Sequence, residues 1–342
     1  MRTVDRSIVR RSLGWMLLFL PVLVAHARGE SGARVMWYNV ENLFDADDDP
    51  AVNDEDFLPE GKYHWTPGRY RSKVNRVAQV IGACGLPDLV GVCEVENASV
   101  LKALVYGSPL RTARYRFVHY DSPDPRGVDV ALLYRADGFR VSRSRPVPAR
   151  VPGGATRDLL EVTGVLASGD TLTVVLCHAP SKRGGAEKSM PRRMAAMRTL
   201  RQVFDSVCAA RPGARVLAMG DFNDSPGAVS LVEGLGASLT DSGVPPCGLY
   251  NLAAPWAGRE DEGSYRYKAA WNMLDQMIVT GTLLRGGGLR VAPSGLRVFS
   301  EDWLLADDKR YMGRKPRRTL PGWGYDAGGF SDHLPVYVDL IP

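Results

Sequence analysis

The chain has no interior run near the roughly 20 consecutive apolar residues that a membrane-spanning helix needs. It has no Cys-x-x-Cys pair of the kind that holds structural zinc. No internal repeat and no low-complexity linker divide its 342 residues, enough for one large domain or two small ones. Cysteine is scarce and odd in number: Cys84, Cys93, Cys177, Cys208 and Cys247. Cys93 and Cys177 lie inside apolar strand patterns and read as buried thiols. An exported protein permits a disulfide, but spacing alone does not choose a pair. Net charge is also small once the N-terminus is set aside. Residues 1–27 carry four Arg and Asp5, a net +3, so the formal +5 of the whole chain falls to +2 without them. That leaves no strong electrostatic footprint for nucleic acid.

The N-terminus has its own pattern. Arg2, Arg6, Arg10 and Arg11 precede an apolar run from Leu13 to Val24, and Ala25-His26-Ala27 fits a small-x-small cleavage site. Residues 1–27 read as a secretory signal peptide, which predicts a periplasmic or extracellular mature protein beginning near Arg28. Farther on, Asp45 to Asp56 begins like a calcium loop. Pro50 stands where the loop needs Gly, and Asp56 where it needs Glu, so an exposed acidic loop is expected.

What the chain does contain is a series of apolar strands ending in polar residues. Val35 to Val40 ends in Asn39, Glu41 and Asn42. Asp88 to Glu96 is interrupted by Glu94, and a carboxylate in a buried strand is expensive unless paired or metal-bound. Thr171 to Cys177 runs into His178, and Val216 to Gly220 runs into Asp221 and Asn223. Asp275 interrupts a strand reaching Val279. Asp332 and His333 stand ahead of the alternating run Leu334 to Leu340. Helical spacing marks 69–83, about 98–106 and 190–210. Further strands are expected at 115–119, 128–134 and 159–167, and residues 301–327 read as a long irregular loop with a basic cluster. Arg126, in the turn-rich stretch 121–127, could clamp a phosphate or simply be solvated. Two carboxylate-bearing strand ends, at Asp221 and Asp332, look like a metal-assisted phosphoester site.

Together these stretches resemble the endonuclease/exonuclease/phosphatase superfamily, the deoxyribonuclease-I-like metal-dependent phosphoesterases. Gly220-Asp-Phe-Asn223 and Ser331-Asp-His333 carry the resemblance in combination and order, and it spans residues 33–341. It implies a four-layer α/β sandwich, with two largely antiparallel sheets face to face, helices outside, and a site at one rim. It implies metal binding at Glu94, with Asn39 and Asp332 as companions. Asp221 and Asn223 would orient nucleophile and phosphate. Asp275 would support His333, and His333 and His178 would share acid and base duties in either order. Arg126 and Asn42 would contact substrate.

The resemblance also fits the chemistry. Hard oxygen ligands suit Mg²⁺, Mn²⁺ or Ca²⁺, and a divalent ion neutralises phosphoryl charge. The implied activity is phosphodiester hydrolysis by a monomer with no stable protein partner. An endonuclease-like enzyme leads, with phospholipid, sphingomyelin or inositol-phosphate hydrolysis and a non-catalytic binding module as alternatives.

Overall fold

The computed structural model describes residues 32–322 and 324–342. The segment read as a signal peptide lies outside the described residues. The first strand, Ala33–Leu43, shows why the chain folds in layers. Val35 and Trp37 turn to one side and Met36 and Tyr38 to the other, the two-residue period of a strand, and both sides are buried. Strands buried on both faces read as continuous apolar runs, which is how most of these appear in the sequence.

Two mixed seven-stranded sheets result. In the first, Ala33–Leu43 lies between the C-terminal strand Val336–Ile341, antiparallel, and Leu89–Val95, parallel. Asp129–Arg135 and Tyr115–His119 complete that side, and the two-residue strands at Arg290 and Arg297 flank the C-terminal strand. The second sheet runs Phe139–Val147, Leu159–Leu166, Thr171–His178, Val216–Asp221, Asp275–Thr280, Leu249–Asn251 and Ala237–Ser238. Within it, Thr171–His178 and Val216–Asp221 are parallel neighbours. The sheets pack through Trp37, Leu132, Val162, Leu176, Met219 and Val338.

Helices cover both outer faces, which gives the expected four layers. Pro67–Ala83 starts with Thr66 accepting from the Arg69 N–H and with proline in its first turn. It lays Val74, Val77, Ala78 and Ile81 on the first sheet. The helix Ala186–Ala210 covers the second sheet with Met197, Leu200, Val203 and Phe204. It begins four residues before the expected Met190, because Pro191 is tolerated near its start. There the Ser189 hydroxyl and the Arg193 guanidinium donate to the Gly185 and Ala186 carbonyls.

Two expectations fail. Phe139–Val147 is a strand that sequence periodicity did not mark, because its exposed, arginine-rich face hides the alternation. Residues 301–327 are not irregular throughout: Leu305–Asp307 and Arg314–Pro316 pair as a small hairpin. Among the described residues no helix is long and apolar enough to cross a membrane.

The parallel central strands approach closely at Gly220, which lies opposite Cys177. A Cβ there would come within 2.2 Å of the Cys177 carbonyl oxygen. Gly220→Ala should therefore cost about 1–3 kcal/mol of stability, the usual range for overpacking, measured by urea unfolding. Unchanged stability would contradict this close contact.

Candidate active site

The site forms where the sheets' strand ends meet at one rim. In the second sheet, register sets His178 beside Asp221 and Asp221 beside Asp275. Asp275 starts its strand, whereas His178 and Asp221 end theirs. An antiparallel neighbour brings its first residue to the rim where the others bring their last. The first sheet contributes Asn39 to Asn42, Glu94, and His333 just before the C-terminal strand.

The backbone is strained at this rim. Glu41 (φ 53°), Asn42 (51°), Glu94 (60°) and Asn223 (51°) all adopt left-handed conformations without being glycine. Pairing shifts register between Asn39 and Leu43 and between Cys93 and Val95. These irregularities act as bulges that turn side chains out of the regular alternation. They explain how Glu94, inside an apolar strand, keeps its carboxylate partly exposed.

Asp275 is fully buried and both its oxygens are used. Trp37 Nε1 donates to Oδ1 at 2.9 Å, and His333 Nδ1 meets Oδ2 at 2.6 Å. The Tyr265 ring lies 4.8 Å from the His333 ring. The other nitrogen of His333, Nε2, stands 3.7 Å from Asp221 Oδ2, and His178 Nε2 is 3.8 Å from the same oxygen. Asp221 is held from two further directions: Asn39 Nδ2 donates to Oδ2 at 3.1 Å and the Asn223 N–H to Oδ1 at 2.9 Å.

The two histidines carry different charge. Burial works against a charged His333, but Asp275 and Asp221 outweigh it and hold its pKa well above the usual value. Burial, then Arg157, Arg126 and His333, push His178 well below it. Burial also raises Asp221 to about 7, against the pull of His333. His333 is thus the histidine that holds its proton, and His178 is the neutral one.

A cation fits the Glu94 side of the site. Glu94 Oε2 accepts the Asn42 N–H at 3.0 Å, while Oε1 faces His178 Nε2 at 3.9 Å without a hydrogen bond. Asp332 gives Oδ2 to Arg318 and keeps Oδ1. Asn39 Oδ1 accepts the Glu41 N–H and has one lone pair left. These are hard oxygen donors, as Mg²⁺, Mn²⁺ or Ca²⁺ require. Asp221, Asp275 and His333 also crowd together, but Asp275 is already committed to Trp37 and His333. Arg126 Nη2 donates to Asn42 Oδ1 at 2.8 Å and lies 4.0 Å from Glu94, half-exposed at the rim, which places it with the site rather than in bulk solvent.

All ten residues singled out in the sequence lie at or beside this rim. Four supporting residues escaped. Trp37 is two residues before Asn39 on the same strand face, a signal that alternation could have given. Arg318 joins buried Glu41 (2.9 Å) to Asp332 (3.1 Å), and it was hidden in a run that reads as a solvated charge cluster. Buried Lys73 donates to Thr319 Oγ1 at 2.7 Å and fixes the same loop. Arg157 donates to Asp124 and to the Ala179 carbonyl, each at 2.9 Å, and Asp124 in turn accepts the Arg126 N–H at 2.9 Å. No local pattern marks Arg157. The Asp45–Asp56 loop uses its carboxylates on its own backbone: Asp45, Asp49 and Asp54 accept from the N–H groups of Asp47, Ala51 and Asp49.

Trp37→Phe tests the outer link of this chain. It keeps most of the packing but leaves Asp275 Oδ1 unpaired, at a cost of about 1–3 kcal/mol. Thermal unfolding should show that loss, with a lower turnover accompanying it. A variant matching wild type in both would show that the indole N–H is dispensable.

The geometry agrees with what comparison with known proteins finds. A model of the endonuclease/exonuclease/phosphatase family matches residues 34–341. No curated protein matches the sequence. The fold is similar to the human Nocturnin catalytic domain, at 16% identity and TM-score 0.55, covering 91% of this chain and 94% of that one. It is similar to a humanized D. rerio TDP2, at 15% identity and TM-score 0.57, covering 91% and 100%. A mannosyl-6-phosphatase of Bacteroides thetaiotaomicron gives 15% identity and TM-score 0.57, also covering 91% and 100%. With the family model covering nearly all the described chain, and strand ends converging on carboxylates and two histidines, the protein belongs to the endonuclease/exonuclease/phosphatase family and is a metal-dependent phosphoester hydrolase.

Proposed function

We propose that the protein is an exported hydrolase of phosphodiesters, endonuclease-like in its chemistry. The observation that carries this reading is Asp221 Oδ2, which faces the Nε2 atoms of both His333 and His178 at 3.7 and 3.8 Å. A phosphoryl group held there meets a base and a proton donor side by side. Asp221 takes the proton of the attacking water. His333, anchored by Asp275, donates from Nε2 to the departing oxygen. Neutral His178 and Asn223 orient the phosphoryl oxygens, and Arg126 faces the substrate from the rim. A divalent cation on Glu94, Mg²⁺ with Mn²⁺ or Ca²⁺ as alternatives, supplies charge neutralisation at the phosphoryl oxygens.

One observation favours a second reading, a small phosphorylated molecule rather than a nucleic-acid polymer. The cations of 301–327 are largely paired with acids. Arg314 meets Asp302 at 2.6 Å, Lys315 meets Asp308 at 3.4 Å and Arg317 meets Asp326 at 2.8 Å. That leaves little free positive charge for a polyanion. Export rests on the arginines ahead of the Leu13–Val24 run and on Ala25-His26-Ala27. N-terminal sequencing of the native protein should begin near Arg28, and a start at Met1 would contradict export by this signal.

Hydrolysis of bis(p-nitrophenyl) phosphate tests the activity. EDTA should abolish it and Mg²⁺ restore it. Glu94→Gln should weaken metal affinity with the circular dichroism spectrum unchanged. Full activity in EDTA would contradict the proposal. A panel of DNA, RNA, sphingomyelin, phosphoinositides and sugar phosphates then separates the substrates. A true nucleic-acid substrate should lose affinity steeply between about 50 and 200 mM salt, whereas a small ester should not.

The pH profile follows from the shifts. Asp221, raised to about 7 by burial, must be deprotonated to act as base. His333, held well above its usual value by its carboxylates, must be protonated to act as acid. At saturating Mg²⁺, kcat/KM should therefore rise as pH climbs through about 7 and fall again at the alkaline end. A profile flat across this range would contradict these roles.

A further inference from the structure

Arg157 and Asp124 are a buried ion pair at the rim, 8% and 5% exposed, with no part in the chemistry described above. Such a pair is weak support for stability, because apolar residues of similar volume often hold a fold as well. Arg157 carries a further cost, since its Nε has no hydrogen-bond partner among the described residues. What the pair does is geometric. Arg157 stands just before Leu159–Leu166 of the second sheet, whereas Asp124 lies between Tyr115–His119 and Asp129–Arg135 of the first. The pair therefore joins the two sheets where the site opens.

Each end of the pair reaches the site. Asp124 Oδ2 accepts Arg157 Nη1 at 2.9 Å, and its Oδ1 accepts the Arg126 N–H at 2.9 Å. Arg157 Nη2 donates at 2.9 Å to the carbonyl of Ala179, the neighbour of His178, and Asn223 Nδ2 donates to the same carbonyl at 3.0 Å. A guanidinium is a rigid planar fork, so two acceptors fix both its place and its orientation. The pair thus sets the Arg126 turn against the edge that carries His178 and Asn223. The two sides are not held equally. Ala179 has another tie, from its N–H to the Asp221 carbonyl at 2.9 Å. The Arg126 turn relies otherwise on the Ser122 N–H to Asp129 at 3.0 Å and on the N–H of exposed Asn53 to the Pro125 carbonyl at 3.0 Å. Loss of the pair frees Arg126 more than it frees His178.

We propose that Arg157 is a positioning residue for substrate binding: through Asp124 it holds Arg126 at the span from His178 and Asn223 that one phosphoryl group bridges. This deepens the phosphodiesterase reading and rests on its assignment of Arg126 to the substrate. The signature lies in affinity. A displaced Arg126 weakens phosphate binding, while Asp221, His333 and Asp275 keep their own geometry.

The experiment uses the whole protein at saturating Mg²⁺ in four forms: wild type, Asp124→Asn with Arg157→Met, Arg126→Ala, and all three changes together. The paired replacement removes both charges, so neither is left buried alone. KM and kcat are measured on bis(p-nitrophenyl) phosphate, and Kd for inorganic phosphate by titration calorimetry. Arg126→Ala should raise KM and Kd by about 10- to 100-fold, the worth of a hydrogen bond to a charged group. The paired replacement should raise both by about tenfold and keep kcat within about twofold. In the Arg126→Ala background it should add nothing, because the side chain it positions is gone. A purely structural pair would lower the active fraction, and with it the apparent kcat, and leave KM and Kd alone. Should circular dichroism show that the paired replacement misfolds, Arg157→Lys takes its place in the same cycle, with a smaller rise expected. Unchanged KM and Kd, or a rise that persists without the Arg126 side chain, would overturn the proposal. So would a wild type with no measurable affinity for phosphate. A wild type that binds phosphate yet hydrolyses no phosphodiester would refute the proposed activity alone, and the Kd values would still decide the role of Arg157.

Discussion

The site depends on one fully buried carboxylate. Asp275 sits between the Trp37 indole and the His333 imidazole, at 2.9 and 2.6 Å, and has no contact with solvent. A charge in such a place is tolerated only if its partners are in position, so Asp275 forces several elements into register. Trp37 must come from the first sheet, Asp275 from the second, and His333 from the turn before the last strand. The Asp275 N–H donates to Ser264 Oγ at 3.1 Å, and the Ser264 carbonyl accepts the Leu334 N–H at 2.7 Å. One residue thereby joins the start of its strand to the segment that carries His333. The two sheets are locked together by apolar packing between their faces and by this polar chain at their rim.

Beside that anchor the chain accepts local strain. The left-handed residues Glu41, Asn42, Glu94 and Asn223 each carry a cost of order 1–3 kcal/mol. Each is held by hydrogen bonds that a relaxed strand would not offer. Glu41 takes the Arg318 guanidinium at 2.9 Å and the Thr319 N–H at 2.6 Å. Asn223 donates to the Ala179 carbonyl at 3.0 Å. At the rim this strain lets side chains leave the strand alternation to meet a ligand. The centre of both sheets remains regular.

Much of this was legible in the sequence, for physical reasons. Apolar strands with one polar residue at the end are costly unless that residue has work to do, and Glu94, His178, Asp221, Asp275 and His333 all stand out on that ground. Strands buried on both faces announce themselves as apolar runs, so the central strands were found, although the first extends beyond the expected Val35 to Val40 to span Ala33–Leu43. The edge strand Phe139–Val147 was not, because arginines occupy its exposed face. Supporting residues were the least visible. Arg157 and Lys73 are buried cations whose partners lie far away in sequence, and only the fold brings them together. Arg318 looked like one more charge in a basic loop until Glu41 and Asp332 appeared on either side of it.

The central claim is that Asp275 acts on the reaction through His333. Its most direct test is kcat on a phosphodiester for His333→Ala, Asp275→Asn and the double variant, with substrate affinity measured alongside. If the two form one unit, each single change lowers kcat by on the order of 10²–10⁴, the double variant is little worse than His333→Ala, and affinity survives in all three. Losses that multiply independently, or a His333→Ala enzyme with undiminished kcat, would contradict the account.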